Sequence, residues 1–247
     1  MNQNHSDGPP YRAPVPPELA EPQAWTSSEA LSVAWSRFRE VWPVLVLSYA
    51  LVALVTQLSA QPPALLELAH VLEPRSHADF AVTGVTALLV LAVSAFFHVG
   101  LIRMWLQIAR GEEARFNVLF TGRDRFLPML GCTVLMGLAI GLGLLLFVVP
   151  GVIVLVGCCL APLYVVDRGL GPVEALSASW RVTRGHWAEL FLLFLVMFGL
   201  ALLGLCMCCV GALATYPLAA LAFAVAFTRI TGTAPVAQYS APDYWPR

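Results

Sequence analysis

Glu29-Ala-Leu-Ser-Val-Ala-Trp35 is written a second time as Glu174-Ala-Leu-Ser-Ala-Ser-Trp180. Each copy continues through an arginine (Arg39, Arg184) and a second tryptophan (Trp42, Trp187) into a long apolar stretch. An amphipathic segment leading into a membrane-length one, repeated at a fixed offset, predicts an array of membrane hairpins. In the first copy Thr26-x-x-Glu29 has capping-box spacing, and Leu31, Ala34, Trp35, Phe38 and Trp42 recur on one helical face. In the second, Gly171-Pro172 starts the helix, Glu174 falls in its first turn, and Val173, Leu176, Trp180, Thr183 and Trp187 line a similar face. Both are expected to lie in the plane of a membrane interface. A weaker third copy runs from Phe116 to Pro128, with Pro128 in register with Pro43.

Composition points the same way. Hydrophobic residues make up 59% of the chain and charged residues 12%, with a mean hydropathy of +0.76. That is more apolar surface than a water-soluble domain of this size can bury. The net charge is −1 and all 14 basic residues are arginine, so nucleic acid is not an expected partner. Residues 1–24 are rich in proline and lack an apolar core behind a basic start, so they read as a disordered tail and not as a cleavable signal peptide.

A helix crosses the hydrocarbon core with about 20 apolar residues. Six stretches approach that length: Val41–Ala60, Phe80–Ile102, Leu127–Val149, Val152–Val166, Ala188–Met207 and Leu213–Ile230. The expected fold is an all-α, six-span bundle of three helix-plus-hairpin units over residues 25–231, followed by a disordered tail at 232–247. Pro150-Gly151 is expected to stop the third span and turn the chain into the fourth. Arginines near span ends stay on the cytoplasmic side. With the N-terminus inside, every arginine but Arg75 falls there, so both termini are expected in the cytoplasm, with Trp42 and Trp187 at the bilayer boundary.

Four further runs carry a resemblance. Val149-Pro150-Gly151-Val-Ile, Ala161-Pro162-Leu-Tyr-Val-Val-Asp167, Pro172-Val-Glu-Ala-Leu-Ser177 and Arg184-Gly185-His-Trp187 together resemble the signature of a bacterial membrane-protein family. It comprises uncharacterised stand-alone integral membrane proteins and the membrane domain fused to some glycerophosphodiester phosphodiesterases. The resemblance spans residues 27–231 and is strongest from Val149 to Trp187. It implies a six-span bundle in the bacterial inner membrane. The phosphodiesterase chemistry of the fused proteins resides in a separate soluble barrel with His-Arg and Glu/Asp metal-binding motifs; the chain has no room for that barrel and no such motif, so the activity does not carry over.

No catalytic constellation is visible, and no metal or cofactor is expected. Cys132, Cys158, Cys159, Cys206, Cys208 and Cys209 lie in or beside apolar spans, where cysteine serves as a small buried residue. Cys206-x-Cys-Cys209 does not converge on one side of a helix. His98 is the ionisable exception inside the spans, and it is expected to hydrogen-bond a neighbouring helix, with a proton-relay or gating role as the alternative. Asp167 is expected to hold Arg181 or Arg184 and so pin the second amphipathic helix. Gly137-x-x-x-Gly141 and Gly143 are expected to pack against another helix of the bundle, with self-association as the alternative, and the scattered polar residues Ser48, Thr56, Gln57, Ser94, Thr133, Tyr164, Thr215 and Tyr216 are not expected to outline a pore. These features favour a non-enzymatic protein that organises lipids or envelope components, with a transporter or permease for a small solute as the alternative. The expected partners are membrane lipids, and beyond them a second copy of the chain or an envelope protein. The residues expected at the inner interface are Trp35, Arg39, Trp42, Glu174, Trp180, Arg181, Arg184 and Trp187, because arginine there meets anionic headgroups.

Overall fold

The computed structural model of the chain describes residues 26–61, 77–113, 115–206 and 210–233. Helix follows helix, with no strand among the described residues: α1 (Ser27–Ser59), α2 (His77–Ala109), two 3-10 turns (Phe116–Phe120, Gly122–Arg125), α3 (Phe126–Leu146), α4 (Val148–Cys158), α5 (Ala161–Arg168), α6 (Pro172–Gly185), α7 (Trp187–Cys206) and α8 (Val210–Ile230). Five stretches are long and apolar enough to cross a membrane: α1, α2, Phe116–Leu146, Val148–Arg168 and Leu213–Ile230. The bent pair α6 and α7 makes a sixth when taken together. The apolar outer surface fits lipid as solvent, since Leu145, Leu146, Phe147, Val148 and Val149 are all largely exposed.

The helix breaks follow from local chemistry. Val41 leaves helical geometry (φ −123°, ψ 17°) just before Trp42-Pro43, and His186 does the same (φ −132°, ψ 27°) just before Trp187. The two copies of the sequence motif therefore break at the same register position, and at His186 the axis turns by 101°. Where the third copy was expected, Arg125 makes a similar break (φ −111°, ψ 10°) into α3, but two 3-10 turns precede it in place of an α-helix. Helices α2, α5 and α8 are each followed by a left-handed glycine, Gly111, Gly169 and Gly232 (φ 80°, 67° and 68°), a conformation that ends a helix at little cost only for glycine.

The expected stop at Pro150-Gly151 is displaced. The reversal between α3 and α4 is made by Phe147 alone, in extended conformation (φ −165°, ψ 159°), and Pro150 and Gly151 lie in the first turn of α4. Proline is tolerated there because the first turn's N–H groups have no intrahelical acceptor. Gly151 earns its place by packing, since a Cβ on it would collide with Leu144 and one on Gly143 would meet Gly151. Gly137 and Gly141 do not pack within the bundle as expected, because among the described residues a Cβ on either would meet nothing.

The core is formed where α1 packs on α8, α8 on α7, and α2 against α1, α3 and α8. Leu45, Val99, Ile102, Met104, Leu190, Leu193, Leu221 and Phe227 are fully enclosed there. With lipid outside, helix association depends on close packing more than on escape from water. Gly100 and Gly122 show this: their missing side chains let the 3-10 segment lie against α2, with the Leu119 carbonyl on Gly100 and the Phe96 carbonyl by Gly122.

Candidate functional site

Helix α6 is fixed across α3 and α4 by small residues. Ala175, Ala178, Ser179 and Thr183 form its buried stripe, and Ala30, Ala34 and Phe38 form that of the first copy. Of the predicted faces, Ala34, Phe38 and Thr183 lie in these stripes, while their remaining positions turn partly or wholly toward the surface. Val173 is accordingly exposed, and Trp35 and Trp42 are about half exposed at 48% and 54%. Ser179 Oγ donates to the Gly157 carbonyl at 2.7 Å and Thr183 Oγ1 to the same oxygen at 3.4 Å, where α4 is about to end. The Trp180 ring lies on Gly157, which has no Cβ to displace it, and Pro172 lies on Gly131. Glu174 accepts from the Gly171 N–H at 3.3 Å, closing the start of α6.

Each copy carries the same pair, with Trp35 exposed and Trp180 packed on α4. Arg39 lies over the Trp35 ring at 6.0 Å and Arg184 over the Trp180 ring at 5.7 Å. Both pairs are spaced one helical turn apart and both arginines are exposed, where a cation over an indole face contributes roughly 0.5–1 kcal/mol. Beside the second pair, Ile153, Gly157, Trp180, Thr183, Arg184 and Trp187 line a cleft of about 360 Å³. Next to it, between α5 and α6, Tyr164, Arg168 and Arg181 line a shallower basic recess of about 550 Å³.

Ion pairs hold the same end of the bundle together. Asp167 is taken by Arg110 of α2, with Arg168 Nε at 3.6 Å, and not by Arg181 or Arg184 as expected. Arg110 reaches Asp167 because α2 and α5 end side by side, a neighbourhood that sequence spacing alone does not reveal. Among the described residues no carboxylate pairs with Arg39, Arg181 or Arg184. Glu29 does not complete its capping box either. Thr26 Oγ1 accepts the Glu29 N–H at 3.3 Å, but the Glu29 carboxylate turns to Arg229 of α8 at 2.6 Å. Glu189 of α7 accepts the Ser27 N–H at 2.6 Å, tying the start of α1 to the start of the α7 span. Arg103 pairs with Asp124 at 2.6 Å and holds that carboxyl below the usual carboxylate range, chiefly by donating a hydrogen bond to it.

Deeper in the bundle the polar residues of three helices converge. Tyr49, Thr56 and Gln57 of α1, Ser94 and His98 of α2, and Tyr216 of α8 line a cleft of about 340 Å³. The Tyr49 and Tyr216 rings stack at 4.5 Å. Beyond His98 lies a second cavity of about 280 Å³ with mainly apolar walls, among them Ile102, Trp105, Met136, Ile140 and Phe223. His98 borders both spaces. Its ring meets Trp105 edge-on at 6.1 Å and makes no hydrogen bond among the described residues, contrary to the expected bond to a neighbouring helix. The indole Nε1 of Trp105 is buried with no acceptor among the described residues.

Of the polar residues expected to lie scattered, Thr56, Gln57, Ser94 and Tyr216 line this one cleft with Tyr49 and His98. The overlooked signal is that Tyr49, Thr56 and Gln57 share one helical face, as do Ser94, His98 and Trp105. Cys132, Cys158 and Cys159 are free thiols, and among the described residues no three of His, Cys, Asp and Glu come together. The run Cys206-x-Cys-Cys209 enters residues 207–209, which with Arg75 and both terminal segments lie outside the described residues.

Comparison with known proteins gives relatives without an assigned activity. Residues 126–241 match the model of a domain of unknown function, DUF7847. Over nearly the whole chain, the protein is similar to an uncharacterised protein of Mycobacterium bovis, 25% identical over 243 residues, with 91% of this chain and 74% of the relative covered. An uncharacterised protein of Mycobacterium tuberculosis strain H37Rv is 26% identical over 247 residues with the same coverage. No solved structure matches.

Proposed function

We propose that this chain is a non-enzymatic multi-pass protein of the bacterial inner membrane that organises lipid by holding anionic headgroups at its cytoplasmic face. In this reading it has six spans in three interfacial-segment-plus-hairpin units, with both termini inside. The observation that carries it is the repeated Arg-over-Trp pair of the two amphipathic segments, together with Arg184 beside an apolar cleft and Arg181 in the neighbouring recess, neither paired with a carboxylate among the described residues. An arginine near an anionic leaflet gains about 1 kcal/mol, and indole rings settle at the headgroup level. Matching breaks at Val41 and His186 support the repeat, and left-handed glycines after α2, α5 and α8 support three return helices. The resemblance to stand-alone membrane proteins and to the membrane domain fused to some phosphodiesterases supports the six-span count.

The test is extraction into lipid nanodiscs and mass spectrometry of every co-purifying lipid and protein, against an unrelated six-span control. Enrichment of anionic phospholipid is expected, falling severalfold when Arg181 and Arg184 are both replaced by alanine. Bulk lipid composition around the wild-type protein would sink the proposal. A second reading, a transporter or permease for a small solute, is favoured by the paired cavities at His98. Solute flux into proteoliposomes that disappears in His98→Ala would support it.

A further inference from the structure

Helices α5 and α6 each turn a pair of residues one turn apart toward the basic recess between them. Tyr164 and Arg168 come from α5, Ala178 and Arg181 from α6, and Leu170 and Val182 complete the walls. Tyr164 is only 7% exposed, and its ring is held edge-on against Phe227 at 4.9 Å. Its hydroxyl makes no hydrogen bond among the described residues, yet it is not one of their sealed, unpaired polar atoms, which are Trp105 Nε1 and Gln107 Oε1. The phenol therefore opens on the recess, and Arg168 and Arg181 both lie within electrostatic reach of it. Among the described residues no Asp or Glu lines the recess. Asp167 is taken chiefly by Arg110, with Arg168 Nε at 3.6 Å, and Arg181 meets no carboxylate among the described residues. The charges of Arg110 and Asp167 cancel, so two positive charges remain on the recess.

We infer that this recess binds the phosphomonoester head of a membrane lipid of the phosphatidic acid class. The inference rests on the headgroup reading and narrows it to one lipid class and one pocket. A phosphomonoester presents three terminal oxygens and about two negative charges at neutral pH, whereas the phosphodiester of phosphatidylglycerol presents fewer of both. Two guanidiniums match the dianion in charge, and each is a planar fork that can hold two of its oxygens. The Tyr164 hydroxyl donates to a remaining lone pair, and Leu170 and Val182 offer the glycerol an apolar wall. Arg184 takes no part, since it lies at the neighbouring cleft.

The full chain is purified in nanodiscs of phosphatidylcholine carrying phosphatidic acid and phosphatidylglycerol at equal mole fraction, and the lipids it retains are counted by native mass spectrometry. Phosphatidic acid should be retained over phosphatidylglycerol by about tenfold or more. Tyr164→Phe leaves the ring on Phe227 and the thermal transition in place. It should lower phosphatidic acid about tenfold, the worth of one hydrogen bond to a charged group, with phosphatidylglycerol unchanged. Arg184→Ala should lower both acids alike and preserve their ratio. Glycerol 3-phosphate added at the same total concentration should displace neither. Equal retention of the two acids above phosphatidylcholine overturns this inference and leaves the headgroup reading standing, while enrichment of neither sinks both. A preference for phosphatidic acid that survives Tyr164→Phe, or that glycerol 3-phosphate abolishes, also overturns the assignment.

Discussion

Asp167 is nearly buried, with its side chain 9% exposed, and its main partner Arg110 comes from another helix. Removing one member of a buried pair leaves an uncompensated charge, typically worth 3–5 kcal/mol; the second arginine at 3.6 Å softens that here. Arg110→Ala is therefore expected to lower the thermal transition in nanodiscs by roughly 5 °C or more, whereas Arg184→Ala, whose exposed side chain lies over the Trp180 indole, should leave it nearly unchanged. Asp124 supplies a pH dependence with a definite sign. Its carboxyl is depressed from 3.8 by Arg103, so the pair's contribution is complete above about pH 4 and is lost as pH falls through the depressed value. Asp124→Asn should flatten that part of an acid melting series. The role of Asp167 was legible as structural, but its partner was not. Charge identity is written in the sequence, while the pairing depends on which helix ends meet.

At the scale of elements, Gly157 couples α4 to α6. A side chain there would collide with the Trp180 ring, and the same carbonyl holds Ser179 and Thr183. Gly157→Val is expected to release α6, raising hydrogen exchange across residues 172–185 while the amide protection of 27–40 is unchanged; equal protection in both segments would show that α6 docks by other means. Gly137→Ala is the matched control, since its Cβ would meet nothing and the helix gains up to about 1 kcal/mol of propensity. Most helices were legible because apolar runs of membrane length admit few other readings. The breaks were only partly so. Proline and glycine punctuate loops, yet Pro150 and Gly151 sit inside a first turn, and the real reversal uses Phe147, a residue with no turn preference.

For the whole molecule, the proposed topology places the starts of α1 and α6 and the ends of α2, α5 and α8 at one face, with the α3–α4 reversal at the other. In a cysteine-free background, Ser28→Cys and Thr231→Cys should react with a membrane-impermeant maleimide only after the inner membrane is opened, and Phe147→Cys from outside without that step. Reaction of all three from the same side would exclude the arrangement. The polar cleft is the part of the molecule least legible beforehand. Its residues come from three helices, each contributing an unremarkable stripe, and only the rotation of α1, α2 and α8 about their axes makes them one site.

A reversal made by one residue has a consequence for biogenesis. Helices α3 and α4 have no polar loop between them to be pulled through the membrane, so the pair can enter lipid as a preformed hairpin, its apolar tip leading. In the proposed topology that tip faces outward and gives an antibody or a protease almost no backbone to grasp. An epitope tag or reporter inserted at Phe147 would give this hairpin the hydrophilic cargo that it lacks, and should block insertion there sooner than at the termini.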